Sequence, residues 1–464
     1  MADRRGFGAG RGTARVDPAR DAAYAVLKAV RVDDAYANLV LPKALADYGL
    51  TGRDAAFATE LAAGALRGQG TYDAVLERCV DKPLAKTPAK VLDALRLGVH
   101  QLLAMRVPDH AAISTTVDLV RARANPGSAG FSNAVLRKVA ARSLEEWQDL
   151  IAPAADSSDA SLGIRHSHPT WVVGELRRAL AASGSEGELE DVLAADNAAP
   201  RVTLVARPGR STRDELPGEP TSLSPYGVVS DGGDPGALEA VRDGRAGVQD
   251  EGSQLVAHAL AEASVSRVGG RAERWLDMCA GPGGKAALLA AIAAERGAVL
   301  LSNEAQHHRS LLVRRAMGAT PASRRLVTGD GTRPPWAPGT FDRVLLDAPC
   351  SGLGALRRRP ESRWRRTPDD VADLVSLQRD LLERAVDSVR AGGVVAYATC
   401  SPVVAETAEI VSGLLESRGD VELVADPLPD VPDAAGPMPG TVQLWPHRHG
   451  TDAMFLALLR RTDV

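Results

Sequence analysis

Residues 276–285 run Leu276-Asp277-Met278-Cys279-Ala280-Gly281-Pro282-Gly283-Gly284-Lys285. The apolar residues Trp275 and Leu276 lead into this glycine-rich turn, and an Ala/Leu run from Ala286 to Ala294 follows it. Strand, glycine turn and helix form the first βα unit of a nucleotide-binding sheet. The glycines let the backbone approach a ligand, and the first N–H groups of the helix face it. The spacing narrows the ligand. There is no G-x-G-x-x-G, and Lys285 precedes Ala286 where a Walker A loop needs Ser or Thr. A turn that encloses an acid, Asp277, suits a ligand with little phosphate, such as S-adenosylmethionine. A simple strand–helix corner would use the same glycines.

Working outward, strands are expected at 275–278, 299–302, 326–328, 341–346 and 393–398, with helices between most of them. This is the pattern of a doubly wound, mostly parallel, Rossmann-like α/β sheet. A last apolar run, Met454 to Leu459, is expected as an edge strand after a proline-rich loop over 426–439. Ligands of such sheets bind beyond the carboxyl ends of the strands. There the sequence places Asp277 and the glycine turn, then Glu304, Asp330, Asp347-Ala348-Pro349-Cys350-Ser351-Gly352 and Thr399-Cys400-Ser401-Pro402. An acid at the second position can accept ribose hydroxyls, and one at the third can meet an adenine amine.

The chain has 464 residues, enough for two or three domains, and 45% apolar and 25% charged residues. A net charge of −4 gives no general affinity for nucleic acid, so any RNA contact must come from local basic patches. Four cysteines without a C-x-x-C pair argue against a zinc site or a disulfide framework and suit a reducing cytoplasm. No metal is expected. No apolar run is long enough to span a membrane, and the charged first residues lack the apolar segment of a secretory signal. The expected organisation is a disordered basic tail over 1–18 and an all-α domain over 19–150. A linker (Ala/Asp/Ser-rich at 154–162) with a small α+β segment covers 151–247, and the α/β domain covers 248–464. Helical spacing carries the second of these: Ala23, Val26, Leu27 and Val30, then Val91, Leu95, Val99 and Leu102.

In the helical region, Glu60–Arg67, Leu95–Leu102 and Gly130–Arg137 resemble the NusB family of RNA-binding domains. In the α/β region, Asp-Ala-Pro-Cys-Ser (347–351) with Ala-Thr-Cys-Ser (398–401) closely resembles the RNA cytosine-C5 methyltransferases. Together with Gln249-Asp250-Glu251-Gly252-Ser253-Gln254, the architecture over roughly residues 20–462 resembles the bacterial small-subunit rRNA enzymes of the RsmB/Sun/Fmu type. The resemblance implies S-adenosylmethionine as cofactor and 5-methylcytosine in 16S rRNA as product. It implies Cys400 as nucleophile, Cys350 as the cysteine of product release and Asp347 as the acid at the base, with Lys285 as possible support. Cofactor contacts carried over are Cys279, Ala280, Gly281, Pro282, Gly283, Gly284, Lys285, Glu304, Asp330 and Asp347. DNA cytosine-C5 methyltransferases instead use the Pro-Cys cysteine, the competing assignment for Cys350.

The chemistry explains why two thiols are needed. C5 of cytosine is a weak nucleophile, and a thiolate adding at C6 makes it enamine-like. Charge developing at N3 calls for an acid nearby, and after methyl transfer the thiolate must be expelled. Directly after the Pro-Cys loop, Arg357, Arg358, Arg359, Arg363 and Trp364 lie in a basic segment expected to contact RNA, with a solvated helix face as the alternative. Asp452-Ala453-Met454-Phe455 departs from the Gly-Phe-Phe common in the family. A monomer is favoured. The same chemistry on tRNA or another RNA, and a non-catalytic assembly factor that keeps the fold, remain the alternatives.

Overall fold

The computed structural model describes residues 16–154, 156–266 and 269–463. The expected basic tail lies, up to residue 15, outside the described residues. Residues 16–18 already belong to the fold: the Asp17 carboxylate accepts the Arg20 amide, and Pro18 opens the helix Pro18–Val32. The chain divides into two compact units. One runs to Thr170 and takes in Arg359–Glu361; the other comprises Trp171–Arg358 and Ser362–Val464.

The first unit is helical, as its spacing predicts. Ala22, Ala23, Val26 and Leu27 of the first helix are buried, as are Val91, Leu95 and Val99 of the helix Ala89–Leu103. Pro108 stands between that helix and the next, Asp109–Leu119. The stretch expected as linker is partly helical. Ser158 caps the helix Asp159–Arg165, whose Ile164 carbonyl accepts the Thr71 hydroxyl at 2.6 Å. Its Ala/Asp/Ser composition encodes a capped helix start, so this unit ends about twenty residues later than composition suggests.

The second unit holds two sheets among the described residues. The smaller is antiparallel and contains β1 (Thr203–Ala206), β2 (Gly218–Pro220), β3 (Gly227–Ser230) and β4 (Ala246–Val248), in the order β2-β3-β1-β4. The helix Glu251–Glu262 follows β4. Its Gln254 donates to the Leu204 carbonyl, and its Glu251 carboxylate accepts the Leu223 and Ser224 amides. These bonds fasten the start of this helix to the small sheet.

The large sheet contains β5 (Arg274–Asp277), β6 (Val299–Glu304), β7 (Leu326–Thr328), β8 (Phe341–Asp347), β9 (Val389–Thr399), β10 (Val421–Val424), β11 (Val442–Gln443) and β12 (Phe455–Arg461). The order is β10-β12-β9-β8-β5-β6-β7, with β11 alongside β12. The strands from β7 to β9 are parallel and rich in buried Val, Leu and Ala, because helices cover both faces. From β5 the chain moves outward through β6 and β7, then returns to the other side with β8. That reversal makes the β5/β8 boundary the topological switch point.

One expectation is corrected. β12 is not an edge strand: it pairs antiparallel with β9 on one side and with β10 on the other. The edge is β10, whose short sequence Val-Glu-Leu-Val gave no distinct signal. Interior placement explains why Phe455 through Leu459 are all buried on both faces. Phe455 meets Tyr397 edge to face, with centroids 6.2 Å apart. Phe455→Ala is therefore expected to lower the unfolding free energy by about 3–5 kcal/mol in urea titrations, as for other buried aromatic truncations. A loss below about 1 kcal/mol, typical of exposed positions, would contradict interior placement.

Candidate active site

The turn after β5 is built around Gly283, which has φ +115°. A Cβ there would lie 2.7 Å from the Ala316 side chain and 2.9 Å from the Val313 Cα, so only glycine fits. The helix Gly284–Glu295 starts at once and carries Lys285. The rest of the turn is stitched to the neighbouring strand ends. The Ala280 amide donates to the Asn303 carbonyl at 2.8 Å, and the Gly281 amide to the Glu304 carboxylate at 3.0 Å. Arg309 donates to the Gly281 carbonyl at 2.8 Å. Asn303 donates its side-chain amide to Met278 and Gly329, both at 3.0 Å, joining the ends of β5, β6 and β7.

Charge is concentrated at the switch point. Lys285 Nζ, from the β5 side, donates to Asp347 Oδ2, at the end of β8, over 2.9 Å. Burial opposes the lysine charge, but Asp347, with Cys400 and Asp277, overcomes this and holds its pKa above the ordinary value. Asp277 is fully buried, and neither carboxylate oxygen has a hydrogen-bond partner among the described residues. Burial and then the Asp347 charge push its pKa up to about 8, against the pull of Lys285. Cys279 is half-buried, and burial pushes its thiol well up.

The two cysteines beyond β8 and β9 meet. Their sulfurs are 3.4 Å apart, a thiol hydrogen bond and not a disulfide. That bond, and then burial, raise the Cys350 thiol well above its ordinary value, so it keeps its proton at neutral pH. Cys400 contributes to the raised pKa values of both Lys285 and Arg358. Gly354 makes the close approach possible: its amide donates to the Cys400 carbonyl at 2.9 Å and its carbonyl accepts the Ala453 amide at 2.8 Å. A Cβ at Gly354 would lie 2.1 Å from the Ala453 oxygen.

The sequence-predicted acids, glycine turn and cysteines thus gather at the carboxyl ends of β5, β6, β8 and β9. Asp330 follows β7 but is exposed, and one of its oxygens accepts from the Thr332 amide and hydroxyl at 2.9 and 2.8 Å. The arginine segment departs most from expectation. Arg363 is completely buried and donates to Asn197 Oδ1 at 2.8 Å. Arg357 is buried and donates to the Gly450 carbonyl, while Arg358 is ion-paired with Asp452. Arg359 lies 4.8 Å over the Tyr36 ring, and Trp364 is half-buried. Arg357, Arg358 and Arg363 are thus taken up within the fold by a carbonyl, an acid and a side-chain amide instead of forming a free phosphate-binding surface. Asp452, where the family has Gly-Phe-Phe, is that acid. Asp250 completes the group, accepting the Asp452 amide at 3.1 Å and lying 3.5 Å from Arg358.

Asn303, Gln378 and Glu406 were not legible as site residues. Their only sequence signal is position, at or shortly after a strand end or facing one from a helix. The Asp277 environment has a measurable consequence. Its folded pKa lies above the unfolded value, so the folded state binds the extra proton and stability falls as pH rises from about 4 to about 8. In ligand-free protein, Asp277→Asn should remove this component, giving a melting temperature that declines less steeply than wild type between pH 5 and 8. Parallel profiles would contradict a buried, protonated Asp277.

Comparison with known proteins bears on the same residues. The model of the 16S rRNA methyltransferase RsmB/F family matches residues 270–460, and the NusB family model matches residues 17–141. A Mycobacterium tuberculosis protein named only as a methyltransferase is 50% identical over 96% of this chain and 97% of its own. The ribosomal RNA small subunit methyltransferase B of Pseudomonas syringae is 32% identical over 95% of this chain and 96% of its own. The crystal structure of PH0851 shares the fold, with a TM-score of 0.78 at 21% identity, covering 96% of this chain and 99% of that one. No helix among the described residues is long and apolar enough to cross a membrane. The chain belongs to the RsmB/F family of 16S rRNA methyltransferases and, by that membership, is an RNA methyltransferase.

Proposed function

We propose that this enzyme forms 5-methylcytosine in small-subunit rRNA, using S-adenosylmethionine and a transient covalent bond between Cys400 and C6 of the base. The observation that carries this reading is the pair of thiols 3.4 Å apart at adjacent strand ends, beside the Lys285–Asp347 pair. A binding module has no use for two thiols so placed.

The donor set fits the cofactor. The buried Asp277 oxygens lack a hydrogen-bond partner among the described residues, and the Glu304 carboxylate lies beside the turn, on the Gly281 amide. Residues Cys279 to Lys285, with Glu304, Asp330 and Asp347, would hold it. S-adenosylmethionine supplies an electrophilic methyl group when bound.

The protein residues do the rest. Cys400, with Lys285 and Arg358 within electrostatic reach, adds to C6 as thiolate and shifts electron density to C5. Asp347, oriented by Lys285, accepts from the exocyclic amine of the base as a carboxylate and, when it carries a proton, donates to N3 where charge develops. After methylation the C5 proton passes to water, its bond pair re-forms the C5–C6 double bond, the C6–sulfur bond breaks and Cys400 leaves as thiolate. Cys350, a protonated thiol touching that sulfur, assists the release. The target cytidine must be unstacked so that both faces of its C5–C6 bond are reachable. The small-subunit substrate rests on what the Pseudomonas relative is named for; tRNA is the second substrate to test.

Cys350→Ala incubated with unmodified 16S rRNA and S-adenosylmethionine should accumulate a protein–RNA adduct on denaturing gels, and Cys350→Ala/Cys400→Ala should form none. An adduct in Cys400→Ala instead would transfer the nucleophile role to Cys350. An adduct with tRNA alone would move the substrate. Separately, Gly283→Ala should weaken S-adenosylmethionine binding by calorimetry roughly tenfold or more, since a Cβ in this conformation costs on the order of 1–3 kcal/mol. Unchanged affinity would remove the turn from the cofactor site.

A further inference from the structure

Six residues after Cys400, the carboxylate of Glu406 is completely buried and holds both cysteine loops at once. From the β8 loop, the Ser351 amide donates to Glu406 Oε1 at 2.7 Å and the Ser351 hydroxyl to Oε2 at 2.5 Å. From the β9 loop, the Ser401 hydroxyl donates to Oε2 at 2.6 Å. A fourth donor is Gln378 Nε2, from the helix Pro368–Ser388, at 3.1 Å from Oε1; the same nitrogen lies 2.9 Å from the Pro349 carbonyl. The Glu406 backbone is fixed too, its carbonyl accepting the Tyr397 hydroxyl at 2.8 Å. Each serine is the immediate neighbour of a cysteine.

We infer that Glu406 is a positioning residue that sets the spacing of Cys350 and Cys400 by holding the two serines on one carboxylate. Its carboxylate hydrogen bonds go to the residues beside the sulfurs and to Gln378. An ionised carboxylate offers about four acceptor sites, and four donors fill them. The inference deepens the methyl-transfer reading above and rests on it only for its catalytic consequence. The geometry also predicts which replacement works. Oε1 faces two N–H donors and must remain an acceptor. Oε2 faces two hydroxyls, which can turn and accept. The amide of Glu406→Gln therefore keeps a hydrogen bond to each of the four groups. Glu406→Ala leaves the Ser351 amide and one serine hydroxyl without an acceptor, since the Ser351 and Ser401 hydroxyls, 3.0 Å apart, can pair only with each other.

The test reads the spacing directly. With oxidised glutathione, Cys350 and Cys400 lose two electrons and two protons to form a disulfide, and the oxidant leaves as two glutathione thiols. Closure is followed by mass spectrometry of unreduced digests of the full chain. Wild type and Glu406→Gln should close within about threefold of each other and Glu406→Ala at least about tenfold more slowly, as expected for a proximity effect. Since Glu406→Ala could fail to fold, the pair Ser351→Ala/Ser401→Ala is the second variant, also expected to be slow. In methyl transfer, kcat of Glu406→Ala should fall about a hundredfold with the KM for RNA nearly unchanged, and Gln should restore it. Closure at the wild-type rate in Glu406→Ala or in the serine pair would overturn the inference. So would a Gln variant as slow as Ala, since that would mean a role for the charge. A wild type that closes normally but methylates no RNA would sink the proposed reaction and leave the positioning role standing.

Discussion

The site depends on the parallel pairing of β8 with β9. Val344 to Asp347 lie opposite Val395 to Ala398, so both strands end at the same level and their loops emerge side by side. Cys350 stands three residues beyond β8 and Cys400 one residue beyond β9, and this register lets two thiols fifty residues apart in sequence touch. A slip of one residue would exchange the side chains that fit the helices on the two faces, so close packing on both faces fixes the level of the strands. The chemistry therefore inherits its alignment from hydrophobic burial.

Polar groups refine what the register provides. Lys285 reaches across the switch point to Asp347, and Asn303 ties three strand ends with one amide. Asp277 is left without partners beside them. Burying an acid without partners is costly, and the cost is tolerated by keeping the group protonated. On the far side of the cysteines, Asp250, Asp452 and Arg358 form a second polar group that anchors the turn before β12. The arginines beside Cys400 thus serve as internal cross-links.

Local sequence signals made much of this readable. Glycines, strand-end acids and the two cysteine motifs each report on their own loop, and the structure gathers most of them at one end of one sheet. Three features could not be read that way. β12 looks like an edge strand because an apolar run does not reveal how many neighbours it has, and its outer neighbour β10 is only four residues long. Arg357, Arg358 and Arg363 look like an RNA surface because composition records charge but not the acids and carbonyls that neutralise it. Glu406 looks like any glutamate ahead of a helix, and its function resides in contacts with Ser351 and Gln378, distant in sequence.

The place of β12 also bears on the order of assembly. A ribosome delivers β9 and β10 before β12, yet in the sheet β12 lies between them. Until Phe455–Arg461 emerges, β9 has one side open and β10 has no partner. The parallel half of the sheet can form from earlier sequence, but the Cys400 loop stays unfinished, because Gly354 must also meet Ala453. A nascent chain could thus carry every proposed catalytic residue while its reactive thiols still lack their final setting. Exposed strand edges recruit other strands, so this last insertion closes the sheet against unwanted pairing in the same step that completes the site.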